Sequence, residues 1–149
     1  MQKFQLIKII SNWFFIGMLF FISCKKSETS SGSQVEQYFE ANVINKDFII
    51  NFASDNGTDL TANYIDYTFR LLKTDFYHGA LEAQKNSTIA TGTWSSNEDY
   101  SKLIITLPNT PPELIFLTRP WRFTKKRPEQ LELAPWGSTE PLVLYMQRQ

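Results

Sequence analysis

The chain has one cysteine and one histidine in 149 residues, and no excess of charge, with 15 Lys and Arg against 15 Asp and Glu. Each scarcity closes a class of function. A lone cysteine, Cys24, forms no disulfide within the chain, and with His78 as the sole imidazole a zinc site of thiolate and imidazole ligands is disfavoured. Nucleophilic catalysis wants a nucleophile, a base and an orienting group, and no Gly-x-Ser-x-Gly context accompanies His78. Balanced charge recommends no nucleic-acid partner. The longest apolar run, Ile9 to Ile22, falls short of the roughly 20 residues that a helix needs to cross a bilayer.

What is present divides at Cys24. Lys3 and Lys8 precede the apolar run without any acid among them, as in the basic and apolar regions of a secretory signal. The run stops at Phe21-Ile22-Ser23-Cys24, and Lys25 to Gln37 is then polar and Ser-rich, with Val35 as its one apolar residue. Such composition predicts a flexible tether. The expected organisation is therefore a signal helix in residues 1–23, a tether in 24–37 and one domain in 38–149. With Lys3 and Lys8 removed, the mature chain would carry a small net negative charge.

The residues around Cys24 resemble the lipobox of bacterial lipoproteins, with Ser23 as the small residue before the cut and Phe21 in place of the usual Leu. That resemblance implies cleavage before Cys24, acylation of its sulfur by chains such as palmitate, and a lipid-anchored protein of the cell envelope, at the outer membrane. Lys25-Lys26-Ser27-Glu28 leaves the membrane face open. One acyl chain anchors only marginally and stable attachment takes more than one, a requirement the three chains of bacterial lipoproteins meet.

From Tyr38 onward, aromatic and β-branched runs alternate with Asn, Gly, Pro and Asp clusters, the pattern of an all-β sandwich or barrel. The runs predict strands over Val43–Phe52, Tyr67–Leu71, Phe76–Ala83, Thr88–Ser95, Lys102–Leu107, Trp121–Lys125, Gln130–Ala134 and Leu142–Gln147. In the first, Ile44, Phe48, Ile50 and Phe52 share a face and Lys46 marks the exposed end. Thr58 to Tyr64 reads as an irregular link with one helical turn, and Leu114 to Leu117 as a second turn. Gly79 suggests a bulge or a close backbone approach. Eight neighbouring strands predict a small antiparallel up-and-down barrel or a flattened sandwich; closing the sheet would remove its edges.

Asp55-Asn56-Gly57-Thr58-Asp59-x-Thr61-Ala62-Asn63-Tyr64, Tyr67-Thr68-Phe69, Thr91-Gly92-Thr93-Trp94-Ser95, Lys102-Leu103-x-Ile105, Trp121-x-Phe123 and Leu131-x-Leu133 together resemble the small lipocalin-like domains of bacterial lipoproteins. Phe48 stands about where that family opens with Gly-x-Trp, and Leu72-Lys73-Thr74-Asp75 replaces its glycine-rich aspartate turn. The resemblance implies an antiparallel barrel or flattened sandwich outside the inner membrane; it carries over neither a ligand nor catalytic residues.

Candidate sites are few. Asp55-x-Gly57-x-Asp59 has calcium-loop features but lacks the remaining acids, and an Asn-Gly turn accounts for the same residues. The carboxylates Asp55, Asp59, Glu98 and Asp99 lie in turn signals rather than flanking a cleft, so no enzyme and no cofactor is expected. Arg119, Arg122, Lys125, Lys126 and Arg127 form a basic cluster that reads as a solvated strand end, or as an anion or headgroup contact if it converges on one face. Any pocket is expected beside Trp121, with Arg119 and Arg122 on an anionic lipid head. The function so read is a monomeric, membrane-anchored binding or carrier module for a small apolar or lipid-like ligand. The alternative is a structural or protein-contact module with a solid core and an exposed patch from Trp136 with the Pro108 to Pro112 loop.

Overall fold

The computed structural model describes residues 33–149. The signal segment, Cys24 and most of the expected tether lie outside the described residues. The first described element is helix α1, Gln34–Asn42. It forms over the end of the expected tether and the residues that lead into the expected first strand, and a local signal accounts for it: Ser33 caps the helix by accepting from the Glu36 N–H at 3.2 Å, the first half of a Ser-x-x-Glu capping box. Phe39 and Val43, four residues apart, lie on one face and are buried. A helix this short is marginal alone, so burial of Phe39 holds it.

Nine strands follow: β1 Asp47–Asp55, β2 Thr58–Asp59, β3 Tyr67–Leu71, β4 His78–Lys85, β5 Thr88–Ser96, β6 Lys102–Thr106, β7 Pro120–Arg127, β8 Gln130–Pro135 and β9 Leu142–Arg148. Apart from β2, each pairs antiparallel with its sequence neighbour, and β1 also pairs with β9 from Phe48↔Arg148 to Asp55↔Leu142. The up-and-down meander therefore closes into an eight-strand barrel rather than a sandwich, with β2 as a short extra strand folded back on β1. Asn56 and Gly57 make that turn with positive φ angles of 50° and 83°, the conformation of a two-residue hairpin.

Two bulges set where the side chains point. The register of β1 against β9 shifts between Ile50 and Phe52, so Phe48 and Ile50 face the core but Ala53 takes the next inward place. Phe52 instead lies outside that file, its ring 5.5 Å from Tyr145, which corrects the expected alternation; a slip of one residue exchanges the two faces. β7 shifts likewise between Phe123 and Lys125. β1 also begins later than expected, because Ile44 makes only a parallel bridge to Leu71 and Asn45 turns the chain with φ 56°.

The interior is filled. Phe48, Phe69, Leu81, Trp94, Leu103, Trp121, Leu133 and Leu144 are almost wholly shielded from solvent. Gly79 is required by this packing: a Cβ there would overlap Leu72 O and come within 2.9 Å of Trp94 Nε1. The indole crosses that space to donate to Leu72 O at 2.8 Å. At one barrel end α1 seats Phe39 against Trp94, Tyr100 and Phe123 at centroid distances of 5.7, 4.5 and 6.0 Å. At the other, two 3₁₀ turns, Thr61–Tyr64 and Pro112–Leu117, fold over the strand ends, as the two expected helical turns.

Candidate ligand site at the barrel mouth

The strand register places the β4–β5 hairpin, the start of β3 and the 3₁₀ turn Pro112–Leu117 at the end opposite α1. Inward-facing residues along β4 are Leu81 and Ala83, with Lys85 next in phase at the rim; Ala90, paired with Ala83, packs against the core from β5. Alanines fill less space than the leucines and aromatics around them. A cleft of about 500 Å³ remains there, open to solvent and lined by Tyr67, Ala83, Lys85, Ile89, Ala90 and Pro111, with polar groups from Asn86, Ser87, Thr88 and Asn109. Its size lies in the range of small-molecule sites, about 300–1,000 Å³.

Each wall is fixed locally. Asn86, with φ 54°, turns the hairpin and its carbonyl accepts from Gln84 Nε2 at 3.2 Å. Prolines 108, 111 and 112 remove donors and fix φ, Asn109 takes φ 53°, and Thr110 Oγ1 donates to Leu107 O at 3.2 Å. Tyr67 closes the floor: its hydroxyl donates to Glu113 Oε1 at 3.0 Å and the Lys85 ammonium lies 4.8 Å from its ring centroid. Burial, then the Glu113 hydrogen bond and charge, raise the Tyr67 pKa. Tyr64 donates to the Glu113 carbonyl at 2.9 Å, and burial pushes its pKa up strongly, with Arg119 opposing and Glu113 adding.

The three residues expected to form a pocket are not gathered into one. Trp121 is wholly buried beneath the Pro112–Leu117 turn, with Nε1 donating to Leu117 O at 2.9 Å. The Arg119 guanidinium lies 5.0 Å from the Phe116 centroid and 5.6 Å from that of Trp121, with a buried Nε that has no hydrogen-bond partner. Arg122, next along β7 from inward Trp121, is exposed on the outer wall opposite Lys102. The remaining basic cluster also disperses. Lys125 and Arg127 lie 3.3 and 3.9 Å from Glu132, while Lys126 sits over the Phe123 ring at 5.0 Å.

His78 is exposed on the outer face of β4, with Nδ1 2.8 Å from Asp75 Oδ1. Ser95 stands opposite it in the β4–β5 register, yet no hydrogen bond joins the two side chains among the described residues. Asp59 spends its carboxylate on the Thr61 N–H at 2.8 Å, and Asp55 to Asp59 is a hairpin turn between β1 and β2. The mouth cleft was not foreseen, because it is defined by small inward residues on two paired strands; Ala83 and Ala90 carry its only sequence signal.

Fold and cleft define the class as a closed, helix-capped antiparallel β-barrel domain with an open mouth. Comparison with family models, curated proteins and solved structures finds no match to this chain.

Proposed function

We propose that the chain is a membrane-anchored carrier, held through acylated Cys24 at the bacterial cell envelope, that takes a small lipid-like molecule at the barrel mouth. The observation that carries this reading is the cleft of about 500 Å³ between the β4–β5 hairpin and the proline loop. Its walls join apolar surface from Tyr67, Ala83, Ile89, Ala90 and Pro111 to polar groups that could orient a ligand, the two components of a small-ligand site. The resemblance of the Thr91-Gly92-Thr93-Trp94 and Trp121-x-Phe123 segments to lipocalin-like lipoprotein domains is in keeping with it.

Native mass spectrometry of the full chain isolated from membranes tests the proposal. A small-molecule adduct is expected on the wild type and lost from Ala90→Phe, whose ring fills the cleft. An adduct-free wild type that also takes up no added fatty acid or alcohol would refute the carrier reading. One observation favours a second reading, a protein-contact module: the barrel interior is occupied by Phe48, Phe69, Trp94 and Trp121. A stable protein complex captured with equal efficiency by wild type and Ala90→Phe would support that alternative.

A further inference from the structure

The mouth cleft has an electrostatic sense. Of the residues that line it, Lys85 alone carries a charge. Its ammonium lies over the Tyr67 ring, 4.8 Å from the centroid, and it has no carboxylate within ion-pair distance among the described residues. Cation–π contact holds the group in place but leaves its N–H donors without an anion. The acid beyond Tyr67, Glu113, is engaged by the Tyr67 hydroxyl at 3.0 Å and does not line the cleft. The cation shares the cleft with apolar surface from Ala83, Ile89, Ala90 and Pro111 and with the neutral polar groups of Asn86, Ser87, Thr88 and Asn109.

We infer that Lys85 selects the ligand: the mouth takes a single-chain amphiphile with a carboxylate head, the alkyl chain against Ala83, Ala90 and Pro111 and the head on the Lys85 ammonium. The inference rests on the carrier reading of the same cleft. A carboxylate completes the donors of Lys85 with charge-assisted hydrogen bonds, which are about twice as strong as neutral ones. An alcohol of the same length gains the apolar contact and one bond from the ammonium to a neutral oxygen, without the attraction between opposite charges. A cationic head would meet Lys85 with no carboxylate on the cleft wall to offset it. The size of the cleft favours a short chain over a full-length diacyl lipid.

Isothermal titration of octanoate and of 1-octanol into the purified full chain separates the terms. The wild type is expected to bind octanoate about tenfold tighter, because only the carboxylate adds a full opposite charge to the bond with the ammonium, and about 1.4 kcal/mol of such attraction is a factor of ten. Lys85→Met should bring the two affinities together, and Lys85→Arg should retain the preference, with thermal melts confirming that each variant is folded. Equal binding of octanoate and octanol by the wild type would overturn the selection by Lys85 while leaving the carrier reading standing. Retention of the preference by folded Lys85→Met would do the same. If the wild type binds neither, the carrier reading fails and takes the inference with it.

Discussion

Replacing Gly79 by alanine is the sharpest test of how this barrel is packed. In an ordinary strand the change stabilises, because alanine has less backbone freedom to lose, by about 0.4–1 kcal/mol. Here the new methyl would overlap Leu72 O and stand 2.9 Å from Trp94 Nε1. Relief requires the Leu72 carbonyl to withdraw, and that carbonyl accepts the Trp94 indole N–H at 2.8 Å while the Leu72 N–H donates to Ala80 O at 2.8 Å. Stranding one or both buried partners costs about 1–3 kcal/mol each, so the net expectation is a loss of about 2–4 kcal/mol. Urea unfolding followed by tryptophan fluorescence reads this as a midpoint about 1–3 M lower at unchanged slope, given slopes of about 1–3 kcal/mol/M. Gly57→Ala is the control: nothing lies within 4 Å of its new Cβ, and the cost comes only from a φ of 83°, about 1 kcal/mol. If Gly79→Ala is as stable as wild type, the indole does not cross Gly79 as described and the reasoning fails.

Two further outcomes follow from the anchor and from the buried phenols. Cys24→Ser should abolish the mass increment of acylation and move the protein out of the membrane fraction; unchanged mass and fractionation would remove the lipid anchor from the proposal. Tyr100, whose hydroxyl donates to Phe76 O, has its pKa pushed up to about 12 by burial, with Glu36 and the other nearby acids adding. Its neutral form is therefore favoured by the fold, and the stability it contributes is whole below the unfolded value of 10.0 and lost as pH rises toward 12. Thermal melting should accordingly fall from about pH 10 upward and fall less steeply in Tyr100→Phe; a flat profile to pH 12 would contradict that burial.

Much of the barrel was legible because period-two alternation and turn chemistry are local. Tyr67, Phe69 and Leu71 all face inward along β3, and Leu142, Leu144 and Met146 along β9, while Asn56-Gly57 marks its own turn. Gly79 was legible as a constraint, although the partner that imposes it, Trp94, comes from another strand. The bulges at Asn51 and Thr124 were not legible, since each depends on the register of a facing strand; the Phe52 side chain was misplaced for that reason. Helix α1 was missed because the polarity of Lys25 to Gln37 masked a local signal, Ser33 with Glu36 ahead of Phe39. The basic cluster from Arg119 to Arg127 was visible as composition, but alternation along β7 and the pull of Glu132 send its members to different places.

The pairing of β1 with β9 has a bearing on the order of events during synthesis. The barrel's longest-range seam joins Phe48 to Arg148 and Asp55 to Leu142, so its second half is the last part of the described chain to be made. Until then, Phe48-Ile49-Ile50-Asn51-Phe52 presents a free strand edge rich in β-formers and without proline, the kind of segment that pairs with other chains. Early release of the nascent chain, or truncation before Leu142, thus leaves a sheet with a sticky flank instead of a smaller barrel. The clasp acts as a completeness check, because only a chain translated through β9 can satisfy its own first strand.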